Sequence, residues 1–201
     1  MRRCILFFVK FPEPGKVKTR LAATLGAERA AEIYRELAET VLKRIPAGEE
    51  VFVIFDPPEK RAEIAAWLHA AGEERTLRCI PQAAGDLGVR LERAFAAAFA
   101  EGCEAVAAIG SDCVELAPDH FAETWQALET HDVALGPTED GGYYLLALRA
   151  PSPALFAGIA WSTEAVFQQT LDRAAEAGLR AHLLPKLRDV DTEEDWRRVG
   201  S

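Results

Sequence analysis

Four cations crowd one short stretch near the start of the chain: Lys10, Lys16, Lys18 and Arg20, opposed only by Glu13. The chain as a whole carries 32 acidic residues against 23 basic ones, a formal charge of −9. A surface of that sign repels a nucleic-acid backbone at long range, which argues against a nucleic-acid partner. Phosphate would have to be met locally instead. Pro12 and Pro14 stiffen the stretch, and Gly15 lets the backbone turn or approach a ligand closely. Thr19 is placed to cap the helix that follows, whose free N–H groups and positive dipole end would add to the cations. The segment therefore suits a di- or triphosphate; the plainer alternative is a solvated basic loop. The P-loop pattern G-x-x-x-x-G-K-[ST] is absent.

The carboxylates with possible chemistry lie elsewhere in the chain. Asp112 follows an apolar run and Gly110-Ser111, so it either caps the next helix or stands at the mouth of a sheet. Asp189 and Asp191 precede Thr192-Glu193-Glu194-Asp195, a capping-box pattern, so they either open the last helix or belong to a site. Asp86 is a natural N-cap for a helix starting at Leu87; equally, Gly85 permits close approach of a base and Asp86 can accept from its amino group. Arg90 falls on the first turn of that helix, within reach of a phosphate or of Asp86. Asp140-Gly141-Gly142 is a tight turn, either a plain hairpin or, with Tyr143, part of a binding surface. Thr163 is placed to cap a helix, leaving Trp161 and Ser162 free to contact a ligand unless the Trp is simply buried. His69, His120, His131 and His182 lack ligand spacing, and no G-x-S-x-G elbow is present. A metal phosphatase would place a nucleophilic Asp where this chain has Lys10.

These residues must be positioned by a regular framework. Cys4–Val9 and Val51–Phe55 are continuous apolar runs, the mark of strands buried on both faces. Thr76–Ile80, Ala105–Ile109, Val133–Leu135, Tyr143–Leu148 and Ala181–Leu184 complete the expected strands. Helices are expected over Gly26–Arg44, where Ala30, Ile33, Leu37, Val41 and Ile45 recur at spacings of three and four, and around Ile64, Trp67 and Leu68 up to Gly72. Further helices are expected over Leu87–Ala100, Phe121–Leu128, Thr163–Ala177 and Thr192–Val199. Alternating strands and helices predict a three-layer α/β/α fold around a mainly parallel sheet. Ligands of such sheets gather beyond the carboxyl ends of the strands, at a topological switch point. That rule selects the loops after Val9, Ile80, Ile109 and Leu135.

Composition supports this reading. With 201 residues, 49% hydrophobic and 27% charged, the sequence predicts one domain over 1–201. Cys4, Cys79, Cys103 and Cys113 form no C-x-x-C pair, as expected of reduced cytosolic thiols. The first apolar run stops at Lys10, too soon for a secretory leader, and no run of about 20 apolar residues predicts a membrane span. A cytoplasmic protein is the expectation; its oligomeric state is left open.

The segment Phe8-Val9-Lys10-Phe11-Pro12-Glu13-Pro14-Gly15-Lys16-Val17-Lys18-Thr19-Arg20-Leu21 resembles the signature of a bacterial glycosyltransferase-A-like family, the radical-SAM/selenodomain-associated transferases. That family lies in the nucleotide-diphospho-sugar transferase superfamily and is distantly similar to the molybdenum-cofactor and 2-phospholactate guanylyltransferases. Gly85-Asp86-Leu87-Gly88-Val89-Arg90-Leu91, Ile109-Gly110-Ser111-Asp112, Leu135-Gly136-Pro137, Asp140 to Leu145, Trp161-Ser162-Thr163 and Asp189-Val190-Asp191-Thr192 match in the same order. Val114 departs from the family's usual proline.

The resemblance implies a Rossmann-like GT-A fold and a transferase using an NTP or NDP-sugar donor and a small acceptor. It implies Mg²⁺ or Mn²⁺ on Asp112 and Asp191, and catalytic charge stabilisation by Lys10, Lys18 and Arg20. Nucleotide binding would fall to Pro14, Gly15, Lys16, Thr19, Gly85, Asp86 and Arg90. Acceptor binding would fall to Asp140, Gly141, Gly142, Tyr143, Trp161 and Ser162. A non-catalytic nucleotide-binding accessory protein is the alternative.

Overall fold

The computed structural model describes residues 1–72 and 75–199. Seven strands form one sheet in the order β3-β2-β1-β4-β6-β5-β7. They are β1 (Arg3–Lys10), β2 (Glu50–Asp56), β3 (Leu77–Pro81), β4 (Ala105–Ile109), β5 (Val133–Pro137), β6 (Tyr143–Leu148) and β7 (Ala181–Leu183). β1 pairs in parallel with both β2 and β4, and β5 with β7; β6 alone runs antiparallel, between β4 and β5. The mainly parallel α/β/α expectation is met. The antiparallel strand arises because Asp140-Gly141-Gly142 closes a hairpin, with the Thr138 N–H donating to the Gly142 carbonyl at 3.1 Å.

The central strands are apolar on both faces because both faces are covered. Ile5, Phe7 and Val9 of β1 pack with Ala38, Val41 and Leu42 of α2 (Ala27–Arg44), Ile64 and Leu68 of α3 (Arg61–Gly72) and Phe121 and Trp125 of α5 (Pro118–Ala127). Cys4 and Leu6 face the other way, toward Leu91, Phe95 and Ala98 of α4 (Leu87–Ala100) and Ala174 of α6 (Val166–Glu176). The period of two along one strand thus divides the core into two layers. All four cysteines are free thiols. No described helix is long and apolar enough to cross a membrane.

Three helix starts differ from the sequence expectation; the first is α5, which begins at Pro118 and not at Phe121. A separate helix, α1 (Thr19–Leu25), precedes α2, and the break is Gly26 at φ 86°, a backbone region that L side chains rarely adopt. Thr19 is therefore the first helical residue and does not cap α1; Lys18 holds the cap position. Thr163 likewise precedes α6 without capping it, since the cap position is Ala165.

The order of strands creates the switch point. From β1 the chain moves outward to β2 and β3, then returns across to β4 on the other side, so the loops after β1 and β4 diverge. Tyr34 of α2 holds these loops together. Its buried hydroxyl accepts from the Lys10 N–H at 2.7 Å and lies 3.0 Å from Ser111 Oγ. Burial pushes that phenol up to about 12, so it stays neutral and hydrogen-bonding. Tyr34→Phe strands the Lys10 N–H and should cost roughly 1–3 kcal/mol. Urea denaturation measures this; a loss under about 0.5 kcal/mol would show that the hydroxyl does not tie the two loops.

Candidate functional site

A cavity of about 750 Å³ opens at the carboxyl ends of β1, β3 and β4. From the basic loop it takes Lys10, Lys16, Lys18, Thr19 and Arg20. Gly85, Asp86 and Arg90 line it from the loop after β3 and the first turn of α4, and Ser111 and Asp112 from the loop after β4. Ser162 and Asp191 complete the wall. Pro14 and Gly15 shape the loop without lining the cavity, Gly15 at φ 78°.

Lys18 organises the floor. Its Nζ donates to Asp112 Oδ2 at 2.6 Å and to Asp191 Oδ1 at 2.7 Å, and its side chain is only 6% exposed. Arg20, 74% exposed, approaches the other oxygen of Asp191 at 3.6 Å. Burial alone would lower the Lys18 ammonium's pKa, but the charges of Asp112 and Asp191 together outweigh it and hold the pKa above the usual lysine value. Lys18 adopts φ 45°, ψ 54°. A left-handed backbone at a non-glycine residue costs about 1–2 kcal/mol, which the two charge-assisted bonds must offset. Among the described residues the other non-glycine residue with positive φ is Ser162, also in the cavity wall.

The route of the chain explains why Asp191 meets Asp112. After β7, Leu187 N–H donates to the Pro137 carbonyl at 3.1 Å and Val190 N–H to the Asp112 carbonyl at 3.1 Å, drawing the strand across the sheet's edge. The last helix, α7 (Glu193–Val199), is capped without Asp191: the Thr192 N–H donates to Asp195 Oδ2 at 2.9 Å, and Asp195 N–H approaches Thr192 Oγ1 at 3.3 Å. The capping box forms and leaves Asp191 to the cavity. Asp112 and Asp191 are the pair that could hold a cation. No cluster of three or more metal-ligating side chains occurs among the described residues.

At the far end of the cavity Asp86 caps α4, accepting from the Val89 N–H at 2.9 Å through one oxygen. Arg90, half-buried, does not bond to Asp86; it donates to the Gly85 carbonyl at 2.9 Å and to Gln82 Oε1 at 3.1 Å. Gln82 in turn donates to the carbonyls of Ile54 and Val9 at 3.1 and 3.4 Å, joining the ends of β2 and β1. Sequence reasoning missed Gln82 and Tyr34. Gln82's one signal was its place in a loop the switch-point rule selects; Tyr34 looked like any residue of an amphipathic helix.

A second cavity of about 550 Å³ adjoins the first and shares Arg20, Leu87, Ser162 and Asp191 with it. Asp140, Gly142, Tyr143, Glu164 and Asp189 line it. Asp140 accepts from Thr138 Oγ1 at 2.6 Å and from the Gly142 N–H at 3.1 Å, which holds the hairpin. Gly141, at φ 88°, has no room for a side chain: a Cβ would collide with the backbone of Glu164. Trp161 lies outside the residues lining either cavity and packs its ring against Gly88 at the start of α4. Tyr143 Oη and Asp189 Oδ1 are buried without a hydrogen-bond partner.

Comparison with known proteins agrees with this fold. The DUF2064 family model, described as an uncharacterized protein conserved in bacteria, matches residues 41–163. No curated protein matches significantly. Among solved structures, a Desulfovibrio desulfuricans G20 protein provisionally assigned as a nucleotide-diphospho-sugar transferase is 34% identical, with TM-score 0.89, covering 98% of this chain and 86% of that one. A nucleotidyl transferase from Methanothermobacter is 18% identical with TM-score 0.63, covering 98% and 95%. Glucosyl-3-phosphoglycerate synthase from Mycobacterium tuberculosis, solved with Mn²⁺, UDP and glucosyl-3-phosphoglycerate, is 14% identical with TM-score 0.56, covering 98% and 74%. The fold is thus the Rossmann-like one shared by nucleotide-sugar transferases and nucleotidyl transferases.

Asp189 gives the site a pH signature. Burial, then the nearby charge of Asp112, push its carboxyl up to about 8. An unfolded Asp titrates near 4. Between those values the folded chain holds a proton that the unfolded chain releases, so this group's contribution to stability falls as pH rises through the window. Asp189→Asn removes the titration. In metal-free buffer the variant should gain stability relative to the parent as pH rises from about 5 to 8.5, read as the difference in melting temperature. A difference independent of pH would show that Asp189 ionises normally.

Proposed function

The chain belongs to the DUF2064 family, and from that premise we propose that it is a metal-dependent transferase taking an NTP or NDP-sugar donor. The observation that carries this reading is the convergence of Asp112 and Asp191 on one cation position, beneath a basic loop in a cavity at the switch point. The donor set fits Mg²⁺ or Mn²⁺: two carboxylates supply hard oxygens, and such ions take their remaining ligands from phosphates and water. The Lys18 ammonium, bonded to both carboxylates, shows that the pair accepts a shared positive charge. Mn²⁺ in the Mycobacterium synthase supports the same reading. A bound ion there would neutralise charge on the diphosphate and orient it.

The chain's own residues supply the rest. Exposed Lys10, Lys16 and Arg20 surround the space a diphosphate would fill, where they stabilise charge on the departing group. Thr19 and the free N–H groups of α1 add donors. Gly85 leaves the backbone open to a flat base, and the second oxygen of Asp86 can accept from a base amino group. Gln82 acts as a positioning residue by fixing Arg90. The family kinship proposed here is with the radical-SAM/selenodomain-associated transferases and, more distantly, the guanylyltransferases, as one transferase-like domain in the cytoplasm; the ordered motifs along the chain support it.

One observation favours glycosyl over nucleotidyl transfer to a phosphorylated acceptor. The second cavity carries Asp140, Glu164, Asp189 and Asp191 against a single cation, Arg20. Such a lining suits a neutral, hydroxyl-bearing acceptor, with Ser162 available to hydrogen-bond it and the ring of Tyr143 to pack against it. Asp140, Gly141 and Gly142 would hold this wall in shape, and Trp161 would buttress it from behind.

The test is a thermal-shift screen of nucleoside triphosphates and nucleotide sugars with Mg²⁺ or Mn²⁺. A ligand at 100 times its Kd should stabilise the fold by about 2.7 kcal/mol. In the doubly substituted Lys16→Ala, Arg20→Ala protein that shift should vanish, while the unliganded stability changes by about 0.5 kcal/mol or less, as for exposed side chains. An undiminished shift would remove the basic loop from the donor site.

A further inference from the structure

Of the four cations in the basic loop, three are exposed and one is not. Lys10, Lys16 and Arg20 stand in solvent, whereas Lys18 is turned inward by its left-handed backbone, with its Nζ bonded to both Asp112 and Asp191. The ammonium therefore holds the place between the two carboxylates that a divalent ion would need. Two cations cannot share those oxygens, because at contact distance they repel strongly in a partly buried site. An entering metal must first displace Nζ. Displacement would take from a largely buried ammonium both of the carboxylates it is bonded to, which is costly. A phosphate in the same cavity changes that balance, since it offers the ammonium a new anionic partner beside the pair.

We propose that Lys18 is a resident cation that keeps free divalent metal off Asp112 and Asp191, so that metal enters only together with a phosphate group that takes over the ammonium. The inference rests on the donor-site reading above and adds an order of assembly to it. Metal and phosphate then strengthen each other's binding by the same factor, as any thermodynamic linkage requires. The site stays closed to free Mg²⁺ or Mn²⁺ and is assembled by the donor itself.

The experiment measures Mn²⁺ binding by the loss of the free-ion electron paramagnetic resonance signal, with no nucleotide present. The parent chain is compared with Lys18→Met and with Lys18→Gly, the second suited to the positive φ at this position. Thermal melting confirms that each variant folds. Both variants should bind one Mn²⁺ at least tenfold more tightly than the parent, and adding Asp112→Asn to Lys18→Met should abolish the gain. Variants no tighter than the parent, or a gain that survives Asp112→Asn, overturn the proposal. If the parent nonetheless shows a Mn²⁺-dependent thermal shift with a nucleotide, the donor-site reading stands and only the gate falls. If the variants gain Mn²⁺ affinity but the parent responds to no nucleotide, the donor-site reading falls, and the coupling to phosphate with it.

Discussion

One buried ammonium joins segments that are otherwise far apart in the chain. Lys18 bonds to a carboxylate 94 residues away and to another 173 residues away. Removed from water, two facing carboxylates repel, and one is driven to take up a proton. A cation between them relieves that repulsion, whether it is an ammonium or a metal. The left-handed backbone at Lys18, the capping of α7 by Thr192 and Asp195, and the crossing of the 187–190 segment over the sheet's edge all serve this meeting. Asp189, beside the pair, has its carboxyl pushed up by burial first and by the charge of Asp112 second.

The sheet makes the meeting possible. β1 and β4 are neighbours, so Lys18 and Asp112 leave adjacent strand ends and diverge around a crevice. β6 inserts antiparallel between β4 and β5, which moves the 140–142 hairpin aside and gives the site a second half. Charge is distributed on the same plan. A net-acidic chain discourages unspecific association with polyanions, while five basic residues, Lys10, Lys16, Lys18, Arg20 and Arg90, line one cavity.

Much of this was legible in the sequence because it depends on local pattern. The Cys4–Val9 and Ala105–Ile109 runs appear as β1 and β4, and Asp86 caps α4 as its place before Leu87 predicted. What was not legible is tertiary. Thr19 looked like a cap, but Lys18 holds the cap position with a left-handed backbone, and its side chain bonds to two distant carboxylates. Gln82 had only its loop to mark it and Tyr34 nothing, since their partners lie on segments distant in sequence: Gln82 bonds to carbonyls of β1 and β2, and Tyr34 to the Lys10 N–H and Ser111. The antiparallel direction of β6 could not be read from Tyr143–Leu148, which is buried on both faces like the parallel strands around it. Arg90 lines the cavity, and its bonds to Gly85 and Gln82 depend on the loop's path.

The central claim is that the Asp112–Asp191 pair and the basic loop form one donor site for a metal and a diphosphate. Crystals grown with Mn²⁺ and the nucleotide giving the largest thermal shift test it most directly, through the anomalous signal of manganese. The account predicts a manganese peak between Asp112 and Asp191, with phosphate density against Lys16 and Arg20 and the Lys18 ammonium moved onto a phosphate oxygen. Manganese bound elsewhere, or nucleotide bound with Lys18 still bridging the two carboxylates, would contradict it.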